Sequence, residues 1–112
     1  MVRRKKVAAR TKNMSDAELQ TLAATLKPLC KHYGEFNAYG YVLLAAKSNT
    51  ESLNVFRLNT FMYPDNAGVF DSLGEALAKT GNKTAAIIAY EKVLSVKPDD
   101  ANAKRKIGEL KM

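Results

Sequence analysis

Residues 67–100 read AGVFDSLGEALAKTGNKTAAIIAYEKVLSVKPDD, and this stretch decides the fold. Val69, Phe70, Leu73, Ala76 and Leu77 recur at three- and four-residue intervals, which puts them on one face of a helix. Gly81-Asn82 breaks that helix. Ala85, Ala86, Ile87, Ala89, Tyr90, Val93 and Leu94 form a second apolar stripe, and Lys97-Pro98 ends it because a residue before proline avoids the helical region. The unit is a pair of helices joined by a tight turn, and it has a predecessor. Setting residues 33–66 over 67–100, an offset of 34, pairs Gly34 with Gly68, Phe36 with Phe70, Gly40 with Gly74 and Leu43 with Leu77. Thr50 then meets Thr84, Pro64 meets Pro98 and Asp65 meets Asp99, while Phe56 faces Tyr90 and Leu53 faces Ile87. A partial third copy begins after Pro98, with Ile107-Gly108-Glu109 one period after Leu73-Gly74-Glu75.

Working outward, the earlier copy repeats the plan: a helix from Phe36 to Lys47, a turn at Ser48-Asn49 and a helix from Thr50 to Met62 before Pro64. Ser48 with Glu51 has capping-box spacing, in which each side chain bonds a free backbone N–H at the helix start. Ser15 with Glu18 has the same spacing and opens an amphipathic stretch through Leu19, Leu22, Ala23, Leu26, Leu29 and Cys30, which Pro28 kinks or interrupts. At the far end Asp99 or Asp100 caps a last helix running to about Leu110. Its outward Lys104, Arg105, Lys106 and Lys111 suit a terminal cap that faces water.

The residues in register resemble the tetratricopeptide repeat. Phe70, Leu73-Gly74, Leu77, Ala86, Tyr90 and Pro98 fall at that family's spacing, and Phe36, Tyr39-Gly40, Leu43, Ser52, Phe56 and Pro64 form a looser copy with Ser52 where alanine is usual. The resemblance implies an all-α, α-α superhelical fold: two helix-turn-helix repeats (33–66 and 67–100), an N-terminal helix (15–32) and a capping helix (101–112), together one domain over 15–112. In such a fold Gly40, Gly74 and Ala86 let helices approach closely while the aromatics wedge between them. The wording of residues 56–59 and 71–76 is also similar to repeat pairs appended to some bacterial serine hydrolases, which would make the chain an accessory module.

The formal charge is +7 from 18 basic and 11 acidic residues, but it is unevenly placed. Arg3, Arg4, Lys5, Lys6, Arg10 and Lys12 precede the first acidic residue, Asp16; without them 12 basic residues face 11 acidic ones. Residues 1–14 therefore read as a flexible basic tail on a nearly neutral body. No apolar run follows the basic stretch, so no secretory signal is expected, and no segment reaches the roughly 20 apolar residues that span a bilayer. A cytoplasmic location is favoured. Cys30 stands alone, so no intrachain disulfide forms.

Catalytic chemistry lacks its parts. His32 is the only histidine, and if helical it points about 200° from Cys30, which disfavours a dyad. Two ligands of the Cys/His type fall short of the roughly four a structural zinc site needs, and the glycines match no phosphate-binding fingerprint. No enzyme activity, metal or cofactor is expected. The sequons at Asn13 and Asn82 carry little weight without a secretory signal, and Tyr33, Tyr39, Tyr41 and Tyr63 read as packing rather than base-stacking residues.

The resemblance implies that the first helix of each pair lines a concave face that holds an extended peptide or a partner helix. Positions there not consumed by packing are Asn37, Tyr41 and Leu44, then Asp71, Glu75, Ala78 and Lys79, then Asn102, Arg105 and Glu109. The expected partner is a protein or peptide, with no specific nucleic acid. The alternative is a homo-oligomer that buries apolar surface left at the ends of so short an array.

Overall fold

Capping and apolar spacing divide the chain into helices joined by short turns. The computed structural model describes residues 3–112, and among them there are seven α-helices and no strand. They are α1 (Arg4–Arg10), α2 (Asp16–Leu26), α3 (Gly34–Ala45), α4 (Asn49–Met62), α5 (Ala67–Lys79), α6 (Lys83–Val96) and α7 (Ala101–Leu110). The expected single domain divides into two compact units, the first ending at Pro64 and the second running from Asp65 to Met112.

In the first unit α3 and α4 form an antiparallel pair, and α2 lies along α4. The capping box that opens α2 is present: the Glu18 N–H donates to Ser15 Oγ at 3.2 Å and the Ser15 N–H to Glu18 Oε1 at 3.0 Å. The Ser15 backbone N–H, and then the Ser15 hydroxyl, hold the Glu18 carboxyl below its usual range. Leu19, Leu22, Ala23 and Leu26 from α2, Phe36 and Leu43 from α3, and Val55, Leu58 and Met62 from α4 make one core. Pro28 interrupts rather than kinks: α2 stops at Leu26 and Lys27–Leu29 form a 3₁₀ turn. Leu29, expected on the buried stripe, is 63% exposed because that turn rotates it off the α2 face. Lys27 folds back instead, donating from Nζ to the Met62 carbonyl at 2.6 Å and lying 4.5 Å from the Tyr63 ring, a cation at the negative end of α4.

The tail reading is corrected. Residues 1 and 2 lie outside the described residues, but Arg4–Arg10 are helical and Thr11–Asn13 form a 3₁₀ turn. Val7, Ala8 and Thr11 are buried, and the side-chain amide of Asn54 in α4 donates to the Thr11 carbonyl at 2.9 Å. A count of apolar residues undervalues this segment, because two small side chains and one shared hydrogen bond are enough to seat a helix only seven residues long.

In the second unit α5 and α6 pair as α3 and α4 do, and α7 packs on α6. Asn66 caps α5 through the Gly68 N–H at 2.8 Å, and Asp100, not Asp99, caps α7 through the Ala103 N–H at 2.8 Å. Tyr90, Val93 and Ala103 form a core with Phe70, Leu94, Ile107 and Leu110 around it.

The repeat is visible at atomic level. A Cβ built on Gly40 would lie 2.6 Å from the Phe56 ring, and one on Gly74 would lie 2.9 Å from the Tyr90 ring. Ser52, where the repeat usually has alanine, is fully buried and its hydroxyl donates to the Gly40 carbonyl at 2.9 Å. Both hairpins turn through the same pair of bonds, Ser48 N–H to Leu43 O at 2.9 Å with Lys47 N–H to Leu44 O at 3.1 Å, and Asn82 N–H to Leu77 O at 2.8 Å with Gly81 N–H to Ala78 O at 3.2 Å. This geometry needs a left-handed residue, Lys47 at φ 62° and Gly81 at φ 88°. It also corrects the expected Ser48–Glu51 box: Ser48 is held at ψ 65° rather than extended, and its side chain makes no cap bond. Lysine has a Cβ that the left-handed region penalises, so Lys47→Gly is expected to raise stability by roughly 0.5–1 kcal/mol, net of the added chain entropy. Gly81→Lys should lower it by a similar amount. Paired thermal melts check this, and a lower midpoint for Lys47→Gly contradicts the assignment.

Candidate functional site

The single cysteine and histidine are Cys30 and His32. They lie in the irregular segment before α3, not on a helix as the sequence reading assumed. His32 Nδ1 accepts the Gly34 N–H at 3.0 Å, and its ring centroid is 4.3 Å from that of Tyr33. Burial, and then the charge of Glu35, push the Cys30 thiol up, the opposite of the shift a nucleophile needs. Among the described residues no group of three or more His, Cys, Asp or Glu could hold a metal ion, and no helix is long and apolar enough to cross a membrane.

The row expected to meet a partner falls into two separate sets. On α3, Asn37, Tyr41 and Leu44 are half-buried, and the Tyr41 ring stands edge-on to Phe56 with centroids 5.1 Å apart. In the second unit four of the expected residues are joined across α5 and α7. Asn102 Nδ2 donates to Asp71 Oδ1 at 3.0 Å, Arg105 Nη2 donates to Asn102 Oδ1 at 2.8 Å, and Arg105 Nη1 reaches Glu109 Oε2 at 3.4 Å. Glu75 pairs with Lys79 at 3.1 Å. Only the Asn102–Asp71 bond crosses between the two helices; the Arg105 bonds lie within α7.

The two helices border a groove of about 270 Å³ with Ala78, Tyr90 and Leu110 as apolar lining and Glu75, Lys79, Lys106 and Glu109 as charged lining. A second depression of about 250 Å³ borders Asp71, Lys97, Asp100 and Asn102. Sequence reasoning missed Tyr90 and Lys106 as lining residues: Tyr90 reads as core and is 1% exposed, and Lys106 reads as a solvated cation.

Asp71 is the group this arrangement perturbs. Partial burial pushes its carboxyl up, and Glu75 and Asp100 push it further, against the Asn102 hydrogen bond and Lys106. The native state therefore holds this proton more tightly than the unfolded chain. The corresponding stability is present at low pH and is lost as pH rises from the ordinary aspartate value of about 3.9 through the higher native value. Asp71→Asn, which still offers an oxygen to Asn102, is expected to raise the melting temperature at neutral pH, by less than about 1 kcal/mol after solvent screening. The gain should vanish below about pH 3.5, where both forms are neutral. A lower melting temperature at pH 7 would mean that the charged form is the one the fold favours.

Neither a protein-family model nor a curated protein sequence matches the chain. Among solved structures it resembles that of a point mutant of MamA, with a TM-score of 0.69 at 19% identity, over 92% of this chain and 76% of that one. MamA is a tetratricopeptide-repeat protein, and at this identity the likeness is one of fold alone. With the two equivalent hairpins it defines the fold class: an all-helical α-α repeat of the tetratricopeptide type. The particular partner is read from the surface.

Proposed function

We propose that the chain is a protein-interaction module whose second unit holds an extended peptide or a partner helix in the groove between α5 and α7. Glu75, Lys79, Lys106 and Glu109 line it with charge, Asp71, Asn102 and Arg105 extend the charge pattern along the same two helices, and Asn37, Tyr41 and Leu44 on α3 offer a further surface. The supporting observation is the open groove itself, in which apolar Ala78 and Leu110 lie among charged Glu75, Lys79, Lys106 and Glu109, with one hydrogen bond, Asn102 to Asp71, linking α7 to α5 beside it. Preformed concave lining of this kind lowers the ordering cost of a ligand. The acidic pair of Asp71 and Glu75 on α5 sets the sign of the preference, since an approaching carboxylate meets like charge before it meets Arg105.

Peptides selected from a displayed library against the full chain provide the test. Calorimetry should show binding weakened at least about tenfold by Asp71→Lys with Glu75→Lys, a loss of about 1.4 kcal/mol, while the circular dichroism spectrum is retained. Equal affinity for the double variant would place the interface elsewhere. A peptide ending in an acidic cluster and a free carboxylate is expected to give no heat at micromolar concentrations with the parent chain. Micromolar binding of that peptide would contradict the charge reading.

A further inference from the structure

The charged face of α1 is unused by the fold and by the groove. Val7, Ala8 and Thr11 are its buried residues and fall within about 100° of the helix circumference. Lys5, Lys6 and Arg10 occupy the opposite side with only Ala9 among them, and Arg3 at the N-cap and Lys12 in the following turn extend the set. All five cations are exposed. Arg4 is spent differently, its Nη1 donating to the Glu35 carbonyl at 3.4 Å. Among the described residues no ion pair engages the other five.

Two features make this arrangement unfavourable for an isolated helix. Cations crowd the positive end of the helix dipole, where the first turn has no acidic residue and no side-chain cap, and Lys6 and Arg10 repel at i, i+4 spacing. Among the described residues the chain itself supplies no counter-charge to these five cations. We propose that this face docks on the phosphate backbone of duplex nucleic acid, without regard to base sequence.

Charge density supports a polyphosphate. Five cations along roughly 13 Å of helix axis is about one per 3 Å, between the roughly 1.7 Å per phosphate of a whole duplex and the roughly 3.4 Å of one strand. Shape separates the duplex from a lipid surface. The cations fan over about half the helix circumference, so a plane meets only the crest, whereas the two phosphate rows beside a groove meet both flanks. The apolar side of α1 is already consumed against α4, leaving nothing to insert into lipid. Within α1 no Asn or Gln is present to read adenine edges, so backbone contacts dominate.

The test uses the full chain and a labelled mixed-sequence duplex of about 20 base pairs, followed by fluorescence anisotropy. Affinity should fall on the order of 10²-fold between about 50 and 200 mM salt, the slope for roughly four neutralised phosphates. Lys5→Glu, Lys6→Glu and Arg10→Glu together should weaken binding more than about tenfold at the lower salt, while Lys83→Glu, Lys104→Glu and Lys111→Glu, with the same change in net charge, leave it within about threefold. The milder Lys5→Gln, Lys6→Gln pair, which keeps the helix face uncharged rather than reversed, should reduce the salt slope by about 1 to 2. Equal loss from both charge-reversal triples, a slope unchanged by the glutamine pair, or tighter capture on phosphatidylserine vesicles or polyglutamate than on the duplex overturns the proposal.

Discussion

Phe56→Ala is expected to destabilise the first unit by about 3–5 kcal/mol, the largest effect of any single truncation considered for this chain. The ring is fully buried between α3 and α4, lies against Gly40 and meets Tyr41 edge-on. Removing it takes away the side chain that fills the space a glycine leaves, and the two helices cannot close that space without losing the Ser52–Gly40 hydrogen bond. Small domains have about 5–15 kcal/mol of total stability, so the variant sits near the edge of folding. Urea unfolding monitored by circular dichroism measures it, and a loss below about 1 kcal/mol would show that Phe56 is not the wedge. One period later Tyr90→Ala should behave alike in the second unit, where the residue is 1% exposed.

The reverse change, Gly40→Ala, is expected to destabilise by about 1–3 kcal/mol even though alanine is the better helix former by about 1 kcal/mol. The new methyl would stand 2.6 Å from two carbons of the Phe56 ring, and that ring, itself fully buried, has nowhere to swing. Sterics and propensity therefore pull in opposite directions, and packing wins. Gly108 in α7 supplies the control: nothing lies within 4 Å of its Cβ position, so Gly108→Ala should stabilise by up to about 1 kcal/mol. Combined with Phe56→Leu, the Gly40→Ala penalty should shrink, because residues in contact do not add. Additive losses in that cycle would mean the two residues do not meet.

The sequence carried the hairpins because their contacts recur. Gly40 with Phe56 and Gly74 with Tyr90 are one contact written twice, and a register of glycines and aromatics reports it without coordinates. Sharing one turn geometry, with Ser48 and Asn82 both near ψ 65°, is harder to read, since it overrides the capping preference that Ser48 and Glu51 otherwise display. Lys47 in a left-handed conformation gives no local signal; only its alignment with Gly81 does. The failure at α1 has a different cause. Charge and apolar count treat residues 3–12 as unable to bury anything, whereas the seat for Val7, Ala8 and Thr11 is made by α4, some forty residues on, through Asn54.

The candidate groove was legible in part. The resemblance put Asp71, Glu75, Lys79, Asn102 and Arg105 on one concave row; the structure bonds Asp71, Asn102 and Arg105 in a chain and pairs Glu75 with Lys79 apart from it. Lys106 and Tyr90 entered the lining only with the coordinates, because their place depends on how α7 rotates on α6. The set on α3 belongs to the other compact unit.

Isotope-edited nuclear Overhauser spectroscopy on the full chain tests the repeat most directly. Cross-peaks are expected between the Gly40 α-protons and the Phe56 ring, and between the Gly74 α-protons and the Tyr90 ring, each with upfield-shifted glycine resonances from the ring current. Neither pair giving a cross-peak, in a sample whose circular dichroism is helical, would contradict the account: the chain would then be helical without being two copies of one hairpin.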